Sequence, residues 1–217
     1  TNETRRTQID GPNLDATDCK QGIIGRIVNQ HGSPVADAVV YMMPGMTGKD
    51  TIRMFQQHQQ GVVFPPVAKS TSAPDGTFTL GLRHWREDDK YEVRIIHAEF
   101  CDHRLPNISP QPDDWWDCGN IPLKTGVSVF GRVSTETGLP VAGATVSVID
   151  GSVMMNFAPT PGREKGLSTA TDNSGNYEIR NIDPIGVFSA SAIAENFAKD
   201  EKNELQLSGS NRHQIDF

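Results

Sequence analysis

The chain has 217 residues, 36% hydrophobic and 22% charged, which is enough to bury one large core or two of about 100 residues each. Its formal net charge of -7 is spread along the sequence without a Lys/Arg run, so nucleic acid is not an expected partner. No apolar stretch approaches the length of about 18 residues that a membrane span needs, and the 20 Gly and 14 Pro favour many short strands joined by turns.

Residues 1–19 are polar, lack periodicity and read as an N-terminal arm. The sequence starts at Thr1 and not at Met, which fits removal of a signal peptide or an upstream region. A first module is expected over residues 20–124. It opens with a strand in which Ile23, Gly25 and Ile27 alternate with other residues, although Ile24 blurs the pattern. Gly32, Ser33 and Pro34 then make a turn, because Gly supplies positive φ and Pro fixes the next φ. A second strand follows from Ala38 to Tyr41, rich in β-branched residues. A long insert occupies residues 44–67, and loops of that length within a compact domain are usually functional or disordered. Asp75-Gly76 signals a hairpin, with alternating Phe78 and Leu80 beyond it. Tyr91, Val93 and Ile95 alternate with Glu92 and Arg94, as in a strand with one wet face. A turn is expected near Glu99 and Phe100, and a strand-like segment at 119–123 closes the module.

After a very short joint at Lys124, Thr125 and Gly126, the pattern repeats over residues 125–217. The sixteen residues from Gly25 align with the sixteen from Gly131 at eight identical positions, where average composition gives about one. Val127, Val129 and Gly131 stand for the first strand, with Phe130 blurring the alternation. Gly138, Leu139 and Pro140 stand for the turn, and Ala144 to Val148 for the second strand. The second insert is shorter, at 150–167. Ser174-Gly175 followed by Tyr177 and Ile179 matches the Asp75-Gly76 hairpin, and Glu195, Asn196 and Phe197 match Ala98, Glu99 and Phe100. Val187 to Ala194 is small and apolar throughout, which predicts a strand covered on both sides. A strand-like segment at 213–217 ends the repeat.

The recurring pattern Gly-x-Val-x-x-x-x-Gly-x-Pro-Val-x-x-Ala-x-Val, with an Asp-Gly or Ser-Gly hairpin and then an aromatic-x-Leu/Ile, resembles the carboxypeptidase regulatory-like domain. The resemblance implies an all-β fold of two tandem seven-strand Greek-key β-sandwich domains of prealbumin (transthyretin-like) type. It covers about residues 22–123 and 127–217. Proteins similar to this family are often secreted, periplasmic or attached to a surface, and the domain usually folds, spaces or interacts beside another domain. Fold alone does not deliver function. Two enzyme types with a similar sandwich do not match the residues. Intradiol dioxygenases need two Tyr and two His on iron, whereas Tyr41, Tyr91 and Tyr177 all sit in strand-like positions; hydroxyisourate hydrolases end in a Tyr-Arg-Gly-Ser motif that this chain lacks. No cofactor is called for.

Several residues stand out as candidate sites. Trp115 and Trp116 lie in a segment that also contains Asp113, Asp114 and Asp117, and aromatic faces flanked by carboxylates stack on sugars or anchor a protein partner. Adjacent strand residues face opposite sides, so at most one of the two indoles is expected to enter a core and the other to cap the sandwich end. Cys101 and His103 carry metal-ligand chemistry, but His97 and Cys101 on one continuous strand would lie about 13 Å apart. Only a turn would bring a third ligand near, and the second module has Ala198 and Asp200 at the corresponding places. Met42, Met43, Met46, Met54 and His58, with Met154 and Met155 in the second insert, are soft ligands that suit Cu(I), or adaptable packing under a loop. Three cysteines allow one disulfide: Cys118 is seventeen positions beyond Cys101, and Cys19 is a rival partner. Asp172, Asn173, Ser174 and Gly175 look like a calcium loop but lack the spaced ligands and closing Glu, and a hairpin turn accounts for them.

The expected function is therefore a non-enzymatic structural or interaction module of a secreted, periplasmic or surface protein. Its partner would be a protein, a neighbouring domain of the same polypeptide or a glycan, bound through the insert loops or the Trp-rich end. The alternatives are a metal-handling (copper or zinc) sandwich and an accessory domain of a larger enzyme.

Overall fold

A computed structural model describes residues 18–45, 56, 65–84, 89–151, 160–163 and 166–217. The arm at 1–17 and most of both inserts, with Met46, Met54, His58, Met154 and Met155, lie outside the described residues. Fourteen strands are present among them: β1 Gln21–Val28, β2 Val39–Pro44, β3 Ala68–Thr71, β4 Thr77–Leu82, β5 Tyr91–His97, β6 Phe100–Ile108 and β7 Trp115–Pro122, then β8 Val127–Arg132, β9 Thr145–Asp150, β10 Leu167–Ala170, β11 Asn176–Ile182, β12 Phe188–Ile193, β13 Asp200–Leu205 and β14 Arg212–Gln214.

The first seven form a three-stranded sheet in the order β4-β1-β7 and a four-stranded sheet in the order β3-β2-β5-β6. The second seven repeat this element for element, as β11-β8-β14 and β10-β9-β12-β13. Each strand thus has its counterpart seven strands later, and each module is a β-sandwich. The first and last strands of each module pair in parallel, with Gly22 beside Trp115 and Val28 beside Pro122 in one module and Arg212 beside Ser128 in the other. The remaining registered pairs are antiparallel.

The chain divides into two compact units, one of residues 1–98, 102–124 and 157–161, the other of 99–101, 125–156 and 162–217. In the first, Ile23, Ile27, Val40, Met42, Phe78, Leu80, Val93, Ile95, Ile121 and Leu123 are buried, which is the alternation expected of strands with one face inward. In the second, Val129, Val146, Val148, Tyr177, Ile179, Phe188, Ala190 and Ala192 belong to the core, with Phe217 packed against it. Burial of this apolar area contributes about 25 cal/mol per Å².

Two expectations change. The strand over Val187 to Ala194 is interior in its sheet, between β9 and β13, and is covered on both sides only at its centre: Ala190, Ser191 and Ala192 are buried, whereas Val187 and Ile193 at its two ends are exposed. The closing segment at 119–123 begins earlier than its apolar pattern suggests, since β7 starts at Trp115.

Candidate functional site

The residues that repeat between the modules form a structural joint in each. In the first, the Arg26 Nε donates to the Asp75 carbonyl at 2.8 Å, the Ile27 amide donates to the Gly76 carbonyl, and the Val35 amide donates to the Ile27 carbonyl. The Ser72 hydroxyl donates to the Val35 carbonyl and accepts from the Ala38 amide. In the second, Arg132 reaches the Ser174 carbonyl at 3.1 Å, Val133 and Val141 repeat the backbone bonds, and Thr171 takes the place of Ser72. The Gly-x-Pro turn and the Asp-Gly or Ser-Gly hairpin are therefore one stapled unit. A side chain on Gly76 (φ 84°) or Gly175 (φ 77°) would strike the carbonyl oxygen of Ile27 or Val133. Asp172, the calcium-like residue, accepts the Ser174 and Asn176 amides through one oxygen, as a hairpin turn requires.

The Trp-rich segment has a different character. Asp113 adopts φ 55° and donates its amide to the side-chain oxygen of buried Gln21 at 3.0 Å. Asp114 accepts the Trp115 amide at 2.8 Å, its carbonyl accepts the Gly22 amide, and Asp117 accepts the Gly119 amide at 2.7 Å. At the other end of the connection from β6, Ser109 accepts from the Lys90 ammonium at 3.0 Å. Trp115 is half-buried, with its ring over Gly22, where a side chain would meet it at 2.7 Å. Trp116, 41% exposed, is the one large apolar residue of the first unit that stands out to solvent among the described residues. Neither indole enters the core. The structure thus places Asp113, Asp114, Trp115 and Trp116 together at the start of β7, with the backbone of the segment fixed and an indole presented on it.

The other candidates do not converge. Cys101 is buried and His103 half-buried on β6, while Met42 is fully buried in the core on β2. Burial lowers the His103 pKa, and the nearby Lys124 ammonium adds to the effect. Among the described residues no three His, Cys, Asp or Glu side chains are grouped as metal ligands. The expected Cys101–Cys118 disulfide is not formed. The two cysteines lie on strands of opposite sheets, which pack about 10 Å apart, whereas bridged cysteines have Cα atoms within about 7 Å. The Cys101 sulfur lies by Gly126, beyond the end of β7, and Cys118 lies beside Gly25 in the middle of the ladder. Burial, with the Asp117 carboxylate, pushes the Cys118 thiol up to about 11. The tyrosines are structural where their bonds are shown: the buried Tyr177 hydroxyl donates to the Ile215 carbonyl at 2.5 Å.

One surface feature was not read from the sequence. On the outer face of β11-β8-β14, the Arg212 guanidinium lies 4.3 Å from the centre of the Phe130 ring, and Glu178 pairs with both Arg180 and Arg212. Phe130, Glu178 and Arg212 border a shallow groove of about 850 Å³. The signal was Phe130 itself, an aromatic residue that breaks the inward alternation because it faces outward under an arginine.

Residues 128–217 match the carboxypeptidase regulatory-like domain. No curated protein matches the chain. Solved structures to which the chain is similar include the shaft pilin SpaA of Lactobacillus rhamnosus GG, at 12% identity over 89% of this chain and 95% of that one with a TM-score of 0.33. The minor pilin of Streptococcus agalactiae is 10% identical over 90% and 94%, with a TM-score of 0.34. A candidate carbohydrate-binding protein from Bacteroides uniformis is 12% identical over 85% and 99%, with a TM-score of 0.32.

Proposed function

We propose that this chain, whose residues 128–217 match the carboxypeptidase regulatory-like domain, is a non-catalytic binding module that works outside the cytosol and takes its partner, a glycan or a protein, at the Trp-rich segment of the first module. The observation that carries this reading is the exposure of Trp116 on a segment whose backbone is held by Asp114, Asp117 and Gln21. A large apolar side chain held at the surface costs solvation in the free protein and loses little conformational entropy on binding, which is how aromatic anchors act. The indole offers a face for the C–H side of a sugar ring or for an aliphatic side chain, and an N–H donor at its edge. Asp113 and Asp114 border it with acceptors for sugar hydroxyls or for a cationic side chain. The sequence features that define the family fold are consumed in the turn–hairpin joints and leave this segment to carry specificity. No helix among the described residues is long and apolar enough to cross a membrane.

The test is an array of hexose and N-acetylhexosamine oligosaccharides probed with the intact chain and with Trp116→Ala, followed by a surface-protein array probed in the same way. The variant should keep its melting behaviour, because substitutions at exposed positions usually change stability by less than about 0.5 kcal/mol. It should lose at least about tenfold in affinity, as hot-spot truncations do. Binding that survives Trp116→Ala unchanged would move the site elsewhere, and two blank arrays would remove the reading.

A further inference from the structure

The three-stranded sheets of the two modules carry different residues on the same outward row. In the second module the register sets Glu178 of β11, Phe130 of β8 and Gln214 of β14 side by side. In the first, Thr79, Ile24 and Asp117 hold the equivalent row. The fold therefore does not call for an aromatic ring there. In the second module this row lines the groove of about 850 Å³, within the range of about 300–1,000 Å³ usual for ligand sites. Its polar groups hold one another in place. The Arg132 Nε is fixed on the Ser174 carbonyl and the Arg132 amide on Asp216, which leaves the two terminal guanidinium nitrogens without a partner among the described residues. Gln214 donates to the other Asp216 oxygen at 2.9 Å, so its own amide oxygen remains to accept. Glu178 is held by Arg180 at 2.6 Å and by Arg212 at 3.6 Å.

We propose that this groove binds an uncharged oligosaccharide, with one pyranose ring stacked on Phe130. Charge selects the class of ligand. The guanidinium groups of Arg132, Arg180 and Arg212 stand against the carboxylates of Asp172, Glu178 and Asp216, so the groove and its rim carry no net charge to draw an ion. What remains is a set of donors and acceptors around one ring. That is the complement of a sugar, whose C–H face packs on an aromatic ring while its hydroxyls, each both donor and acceptor, reach the planar groups at the rim. A peptide fits this surface less well. The groove lies on the face of a sheet whose central strand has both its neighbours, so strand addition finds no open backbone there. Phe130 is also its one large apolar side chain outside the core, which leaves a protein partner no pocket for an anchor. In the free protein the Arg212 guanidinium covers the ring, 4.3 Å from its centre. Its contact with Glu178 is long, and moving fully onto that carboxylate uncovers the ring for the sugar. A shallow site of this kind binds weakly, with a dissociation constant on the order of 1 mM. It lies in the second module and does not depend on the Trp116 segment.

The test is a titration of the intact, nitrogen-15-labelled chain carrying Trp116→Ala, followed by the amide signals in two-dimensional nuclear magnetic resonance. Cellotetraose, maltotetraose and chitotetraose are the neutral probes and tetragalacturonate is the charged one, each taken to about 5 mM, several times the expected dissociation constant. At least one neutral sugar should shift the amides of β8, β11 and β14 in a saturable way, and tetragalacturonate should not. In the same background, Phe130→Ala should weaken that binding at least about tenfold. Gln214→Ala, at an exposed position, should weaken it by a smaller factor and leave the remaining amide spectrum unchanged. Absence of a saturable shift with all three neutral sugars overturns the inference, as does a response to tetragalacturonate as strong as theirs. Binding that maps away from these strands, or that folded Phe130→Ala and Gln214→Ala variants keep unchanged, also overturns it. Because the titration is made without the Trp116 indole, its outcome is separate from that of the arrays.

Discussion

Gly76 and Gly175 show why the most recognisable residues of this chain are the least informative about its activity. Each holds a left-handed backbone at a point where the hairpin presses on a strand carbonyl. Replacing either by Ala should cost at least about 2 kcal/mol, combining φ strain with displacement of that carbonyl, and thermal melts of Gly76→Ala and Gly175→Ala check it. The repeated Arg26 and Arg132, which as isolated basic residues invite a functional reading, spend their Nε protons on the same hairpins. The spacing of these residues was legible because backbone geometry dictates residue type. The fixed Trp116 segment was only half legible: the residues were visible, but the exposure of one indole depends on contacts with Gln21 and Gly22, some ninety residues earlier. Cys118 gives a second check at this scale. With its pKa raised from 9.0 to about 11, its thiolate fraction at pH 8 falls about 100-fold below that of an ordinary thiol, and alkylation follows the thiolate. Peptide mapping after timed iodoacetamide treatment should find Cys118 slow by about that factor.

Among the elements, those that face the core were readable and the edges were not. β1, β4, β5 and their counterparts alternate because one side is buried. β6 contains Asp102, Arg104, Pro106 and Asn107, and β13 contains Asp200, Glu201, Lys202 and Glu204. Such charged and proline-bearing strands suit the margin of a sheet, where they discourage pairing with other chains, and they offer little alternation to a reader. The hairpins also set a pH dependence. Asp172 accepts the Asn176 and Ser174 amides, and Asp75 accepts the Thr77 hydroxyl and amide; these bonds hold both carboxyls below the ordinary 3.8. Such a group contributes stability that is fully present above 3.8 and is lost as pH falls through its lowered folded value. Melting temperatures of the parent and of Asp75→Ala/Asp172→Ala, measured from pH 5 down to about pH 2, should converge at the acid end. A constant gap across that range would show that the two carboxylates do not act through their charge.

At the scale of the whole molecule, the duplication was the most secure reading. Two separate cores use the same turns in the same order, and every strand recurs seven strands later. What the duplication hid is the difference between the copies, since one outer sheet face carries Tyr41, Met43 and Arg94 where the other carries Ser147, Ile149 and Ser191. One property common to both copies concerns tension. Because β1 and β7 run side by side in the same direction, the chain enters the first module at one end of this ladder and leaves at the other. A pull along the polypeptide therefore loads the hydrogen bonds between the two strands together, in shear, and cannot peel them one by one. The same holds for β8 and β14. A cysteine handle at Lys20 paired with one at Lys124 should give a higher rupture force in an optical trap than Lys20 paired with Asp114, which grips neighbouring ends and unzips the ladder. A domain strung this way resists being drawn out along its own chain.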